Sequence, residues 1–210
     1  MPMQRVLVIS PHPDDEAIGC GGTLRRHVEA GAEVRAIFLT SGERGVRGQD
    51  PAETAPIREQ EAAAAAKVLG YEALEFWREP DGAVGATAAL IGKLRATLDT
   101  FRPELIYVPH PDEMHLDHKA AASLVHAAIA SDAAAPAPAV RMYEVWTPLQ
   151  RIDHVEDISE QIEVKMAAIR AHASQCAIMR FDEAALGLAR YRGEMHSWPG
   201  GPYAEVFSTL

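Results

Sequence analysis

Arg5-Val-Leu-Val-Ile-Ser-Pro-His-Pro-Asp-Asp-Glu16 is the stretch on which the architecture turns. Its first half, Arg5 to Ser10, is an unbroken, β-branched apolar run, the pattern of a strand covered on both faces. Pro11 ends it. Pro11 and Pro13 each fix φ and remove a backbone donor, so the following turn is stiff. A strand covered twice needs layers above and below, and the downstream sequence supplies them. Ala17 to Ala30 reads as a helix with Gly19, Gly21 and Gly22 in its first turns, and Glu33 to Thr40 as a second strand. Gly42 to Pro51 is a polar, Gly-rich loop, and Ala55 to Leu69 is a helix stopped by Gly70. Ala73 to Trp77 is a short strand, Asp81-Gly82 a turn, and Ala86 to Phe101 a helix. Leu105 to Val108 is a strand, and Asp117 to Ala130 a helix. This strict alternation predicts a mostly parallel sheet with helices on both faces. Sites in such sheets form outside the carboxyl ends of the strands, where the polar clusters after the first, second and fourth strands fall.

Beyond residue 130 the pattern is less regular. Ala133 to Ala139 (AAAPAPA) is a linker-like loop, and Val140 to Trp146 a fifth strand. Ile152 to Val155 is a candidate strand set at an angle. Ser159 to His172 is a helix with Ser159 as N-cap. Phe181 to Tyr191 is helical, and Tyr203 to Phe207 is a last strand or a closing flap. No internal repeat breaks the chain of 210 residues, which is expected to be a single α/β domain over residues 1–210. Hydrophobic residues make up 48% and charged residues 24%, which excludes disorder. The net charge of −10 disfavours nucleic acid and anionic membranes as partners. No apolar stretch approaches the ~18 residues of a membrane span. Met1 to Arg5 lacks the long apolar segment of a leader. Cys20 and Cys176 cannot build a disulfide framework, so both are expected as inert buried thiols in a cytoplasmic protein.

The chemistry concentrates at two strand ends. The first strand empties into His12, Asp14, Asp15 and Glu16; the fourth into His110, Asp112, Glu113, His115, Asp117 and His118. Imidazole with carboxylate suits Zn²⁺, and less decisively Fe²⁺ or another divalent transition metal. His12 and Asp15, three apart, can turn to one point, and one histidine of the second cluster would complete a three-ligand site open to water. Asp14, between them, aims elsewhere and is free to accept a proton. The remaining histidine is left to stabilise an oxyanion or protonate an amine. For the first cluster alone, the ordinary reading is an acidic turn that caps a helix.

Taken together, Pro11-His-Pro-Asp-Asp-Glu16, Gly19-Cys-Gly-Gly22 and His115-Leu-Asp-His118 resemble the PIG-L/LmbE-like zinc-dependent N-deacetylases. Thr40-Ser-Gly42 with Arg58, Glu61 and Leu69-Gly70, then Lys165 with His172-Ala-Ser-Gln175, and Tyr203-Ala-Glu-Val-Phe207 extend the resemblance along the chain. It implies a Rossmann-like fold and removal of acetyl groups from N-acetylglucosamine conjugates, such as glycosyl-phosphatidylinositol, mycothiol and bacillithiol precursors. It further implies His12, Asp15 and His118 as zinc ligands, Asp14 as general base, His115 as electrophilic or acid partner, Arg58 as a sugar contact, and a trimer or hexamer. Leu116 stands where the family commonly has Pro, which loosens the loop around His115.

Other residues carry two readings each. Arg58 is a sugar contact or a helix-surface arginine paired with Glu59 or Glu61. Arg44 and Arg47 meet an anionic aglycone or are solvated. Asp112, Glu113 and Asp117 are placed to orient the histidines. His110 lies near enough to the second motif to enter the site, and His172 with Gln175 lines the mouth of the pocket or packs in the core. Trp77 and Trp146 are expected in the core, while Trp198 is free to stack on a sugar. Two other functions compete with an amino-sugar deacetylase: a metal-dependent phosphoesterase, which the missing P-loop spacing disfavours, and a non-catalytic sugar-binding relic.

Overall fold

The computed structural model describes residues 4–131, 137–196 and 200–210. β1 (Arg5–Ser10) lies inside a seven-stranded sheet ordered β3-β2-β1-β4-β5-β7-β6. It pairs in parallel with β2 (Glu33–Phe38) on one side and β4 (Leu105–Pro109) on the other. β3 (Ala73–Phe76) and β5 (Ala139–Tyr143) continue the parallel order outwards. β7 (Ala204–Thr209) runs antiparallel to β5 and to the edge strand β6 (His154–Asp157). The sheet is therefore mixed only at one edge.

Side chains alternate across the strands, so β1 feeds two cores. Val6 and Val8 join a cluster with α1 (Asp15–Glu29), α2 (Pro51–Leu69), α5 (Ile162–Ala171) and α7 (Phe181–His196). Leu7 and Ile9 join α3 (Ala88–Phe101) and α4 (Leu116–Ala130) on the opposite face. The chain leaves β1 towards β2 and β3, then returns to β4 on the other side. The crevice at the carboxyl ends of β1 and β4 is thus the point where strand order reverses, the position at which open α/β sheets bind ligands.

Two small residues set how α1 lies on this sheet. A Cβ on Gly19 would stand 2.2 Å from the Tyr143 ring, and one on Gly22 would stand 2.8 Å from Ile158. Between them α1 kinks at Cys20 (φ −143°, ψ 16°), where the helical hydrogen bonding is interrupted. The amides of Gly22 and Thr23 donate instead to the Glu205 carboxylate, at 2.9 and 2.7 Å. Lys165 Nζ donates to the same carboxylate at 2.5 Å and to the Ile18 carbonyl at 2.6 Å. This buried pair ties β7 and α5 to the helix that carries the first motif.

Several element boundaries differ from the sequence expectation, each for an identifiable reason. α2 starts at Pro51 rather than Ala55, because the Asp50 carboxylate caps the Ala52 amide at 2.9 Å and Pro51 occupies the first turn. α5 starts at Ile162, and Ser159 is not its cap: the Ser159 hydroxyl donates to Asp157 Oδ1 at 2.6 Å. β5 ends at Tyr143 rather than Trp146, since the next amides turn to a buried carboxylate described below. β6 falls at His154–Asp157, and the chain's last segment is a paired strand rather than a flap. Cys20 is buried, whereas Cys176, in the short α6 (Ala173–Cys176), is only half-buried. Residues 133–136 of the expected loop, and Trp198, lie outside the described residues. Among the described residues no helix is long and apolar enough to cross a membrane.

Candidate active site

Asp14 opens α1 with φ 116° and ψ −31°, a backbone conformation rarely adopted by a residue with a side chain. Its carboxylate does not cap the helix. It accepts from Arg58 Nη2 at 3.0 Å, and that guanidinium also donates to the carbonyls of Pro13 and Gly42. Strain of this kind costs ~1–3 kcal/mol and persists only where the surroundings impose it. Here the imposing group is Arg58, which is buried and points away from solvent. It is neither a surface residue paired with Glu59 or Glu61 nor an exposed arm. Glu59 binds Arg78 and Ser41, and Glu61 binds Ser174.

The two motifs meet. His12 Nδ1 lies 3.1 Å from Asp15 Oδ2, and His118 Nε2 lies 3.1 Å from the same oxygen. The His12, His115 and His118 rings stand 4.8 to 5.4 Å apart, centroid to centroid. Among the described residues, two sets can present ligand atoms within 4.8 Å of one another: His12, His115 and His118, and His12, Asp81 and Asp117. His12 belongs to both. Its Nε2 lies 3.2 Å from Asp81 Oδ1 and 3.2 Å from Asp117 Oδ2. Asp117 is already held by the amides of Gly82 (2.7 Å) and Val84 (3.0 Å), so it acts on His12 as a fixed carboxylate support.

The donor set on the Nδ1 side fits a divalent ion. Tetrahedral ligands at zinc distances stand about 3.3 Å from one another, close to the separations around Asp15 Oδ2. His118 is fully buried, and neither of its ring nitrogens has a hydrogen-bond partner in acceptable geometry, including the one 3.1 Å from Asp15. A buried imidazole without a partner is costly unless something else takes the lone pair.

Electrostatics separates the adjacent carboxylates. Burial raises the Asp14 pKa to about 7, against the lowering effect of Arg58 and with the help of Asp15. Burial also opposes ionisation of Asp15, but the His118 and His12 imidazoles outweigh it and hold Asp15 well below the usual range. Burial lowers His12, yet Asp117, Asp15 and Asp81 together raise it well above its usual value. Burial, with His12 and His118 nearby, lowers His115. The Asp117 amide donates to His115 Nδ1 at 3.3 Å, so a neutral His115 carries its proton on Nε2.

A cavity of about 350 Å³ opens over these groups, lined by His12, Asp14, Asp15, Arg58, Asp81 and His115 on its polar side. Arg44 and Gln175 also line it; Arg47, His110 and His172 do not. His110 binds the Thr147 carbonyl at 2.7 Å, and His172 is buried, with burial taking its pKa down to about 3. Asp112 is exposed, and among the described residues no hydrogen bond joins it to either histidine. Its neighbour Glu113 is the buried carboxylate of the site's flank. Glu113 accepts from the amides of Val145, Trp146 and Thr147 and comes within 3.9 Å of His118 Nδ1. By turning this segment it sets Trp146 on the cavity wall rather than in the core, while Trp77 is buried as expected. Asp81 was missed in the sequence. Its signal was its place just beyond the third strand, in an Asp-Gly turn that by itself reads as mere punctuation.

Residues 7–129 match the family described as PIG-L: GlcNAc-PI de-N-acetylase. The 1D-myo-inositol 2-acetamido-2-deoxy-alpha-D-glucopyranoside deacetylase of Mycobacterium sp. (strain KMS) is 32% identical, over 83% of this chain and 75% of the relative. The diacetylchitobiose deacetylase of Thermococcus kodakarensis is 30% identical, over 82% of this chain and 70% of the relative. Among solved structures, GalB, the 4-carboxy-2-hydroxymuconate hydratase of Pseudomonas putida KT2440, superposes with a TM-score of 0.89 at 27% identity, covering 99% of this chain and 96% of that one.

Proposed function

The chain belongs to the PIG-L family of GlcNAc-PI de-N-acetylases, and from that premise we propose that it is a metal-dependent hydrolase removing the acetyl group from an N-acetylglucosamine-type sugar or its conjugate. The observation that carries this reading is the convergence of His12, Asp15 and an unpartnered, buried His118, with the separately held Asp14 beside them. His12, Asp15 and His118 would hold the ion, and two imidazoles with a carboxylate favour Zn²⁺, with Fe²⁺ as the next choice. What such an ion supplies when bound is Lewis acidity towards water and the amide carbonyl.

The chain's own residues do the rest. Asp14, in its carboxylate form, takes a proton from the attacking water. Its raised pKa then lets it return that proton to the departing amine, so one carboxyl serves as base and acid in turn. Arg58 fixes Asp14. Neutral His115, which lines the cavity and carries its proton on Nε2, would donate to the oxygen on which negative charge develops. Asp117 and Asp81 keep the His12 ring in place. We read the whole chain as one deacetylase domain, acting as a homo-oligomer in the cytoplasm. The free cysteines support a reducing compartment, and the oligomer rests on the family resemblance.

The test is acetate release from N-acetylglucosamine and its glycosides by protein of measured metal content. Asp14→Asn should retain the metal and lose about 10²–10⁴ in kcat/KM. Retention of most activity would remove Asp14 from its role. The GalB likeness raises a hydratase as second reading, since hydration also begins with an activated water. Hydration of an unsaturated carboxylic acid, with no acetate released from any amino sugar, would favour it. The relatives give no support to a phosphoesterase or a sugar-binding relic.

A further inference from the structure

We propose that the sugar taken by this cavity carries an apolar aglycone, alkyl or aryl, seated against a wall made by Trp146, Ile178, Met179 and Phe181. The inference rests on the deacetylase reading and adds the substrate class. The cavity has two unlike sides. Carboxylates, imidazoles, Arg44, Arg58 and Gln175 are the polar part of its lining, matching sugar hydroxyls and the amide; the four apolar side chains are the other part. Trp146, Ile178 and Met179 are 39%, 56% and 46% exposed, and contiguous exposed apolar surface in a concave site marks a ligand. Phe181 meets Trp146 edge to face, ring centroids 5.6 Å apart, which stiffens the wall. Glu113 fixes the backbone at Trp146 while flanking His118, so wall and chemistry keep one geometry. Met114 and Leu116, on either side of His115, are each 70% exposed and add apolar surface next to the same histidine.

Three of the wall's apolar side chains also border a neighbouring cavity. A second cavity of about 170 Å³ shares Trp146, Met179 and Phe181 with the first and is otherwise lined mainly by aliphatic residues such as Ile18, Val145 and Leu188. Its charged residues are closed in pairs, Arg192 with Glu144 at 2.7 Å and Lys165 with Glu205 at 2.5 Å. A pyranose has one apolar face, which a single indole covers. Four apolar side chains and the cavity that shares three of them exceed that need. A polyol aglycone placed there would lose its water without gaining partners.

The experiment compares acetate release from free N-acetylglucosamine, its octyl and 4-nitrophenyl glycosides, and its inositol glycoside. We expect kcat/KM on the octyl and aryl glycosides to exceed that on the other two by about tenfold or more, through KM, since each buried methylene favours binding severalfold. In the double variant Ile178→Ser, Met179→Ser the ratio should fall towards one. Equal kcat/KM on all four substrates would overturn the inference and leave the deacetylase reading intact. A double variant with altered oligomeric state and unaltered ratio would make the wall an interface between copies, and the inference false. Acetate from none of the substrates would end both readings.

Discussion

At the scale of single residues, the decisive contrast is between neighbours. Asp14 and Asp15 have the same side chain and adjacent positions, yet burial drives one pKa up to about 7 while two imidazoles hold the other far down. Asp14 must be ionised to take a proton, so kcat/KM should fall about tenfold per pH unit below its midpoint. A cation bound beside it favours the carboxylate, so that midpoint lies at or below about 7. Arg58 lowers the same pKa, so Arg58→Met should move the limb to higher pH, and Arg58→Lys should move it less. A pH–rate profile of the three proteins checks the order; an unmoved limb would remove Arg58 from Asp14's electrostatics. Glu16 supplies a stability test. Burial raises its pKa to about 8, above its unfolded value, so the folded protein retains a proton that the unfolded chain has lost between about pH 4.5 and 8. Stability therefore declines with rising pH across that window. In Glu16→Gln that decline should be smaller, as read from denaturant midpoints at pH 5 and 8.

At the scale of elements, α1 is held by contacts distant in sequence. Its kink at Cys20 frees two amides, which Glu205 of β7 accepts, with Lys165 of α5 balancing the charge. Glu205→Gln leaves a buried ammonium short of its counter-charge and should destabilise the fold by ~3–5 kcal/mol in urea unfolding. Adding Lys165→Met should recover part of that loss, because the unpaired charge goes with it. Gly19→Ala should cost ~1–3 kcal/mol for the collision with Tyr143. The sequence made the parallel elements legible because their apolar runs and glycine stops are local signals. It misplaced the start of α5 because Ser159 is engaged by Asp157, two residues back, and by Tyr203 of the distant last segment, and the end of β5 because Glu113 takes the amides of Val145 to Thr147 through tertiary contacts.

At the scale of the whole molecule, the site closes only when β1 and β4 lie side by side. An ion joining His12 and His118 links the loops of both strands and should stabilise the native state against the unfolded chain. Zinc at about 100 times its dissociation constant adds ~2.7 kcal/mol. For a chain of this length that corresponds to roughly 5–10 °C in Tm, measured against chelator-treated protein. His118→Ala should abolish the increment. The sequence by itself determined the parallel α/β layers, the two strand-end motifs and the acid, base and ligand types they contain. These follow from local periodicity and from residues a few positions apart. Only the tertiary structure decided that Arg58 turns inward to hold Asp14, that Asp81 joins Asp117 in backing His12, and that Trp146 leaves the core for the cavity wall. Each of these depends on which charges and amides meet after the sheet is assembled, and on the energy of burying them unpaired, which the order of residues does not reveal.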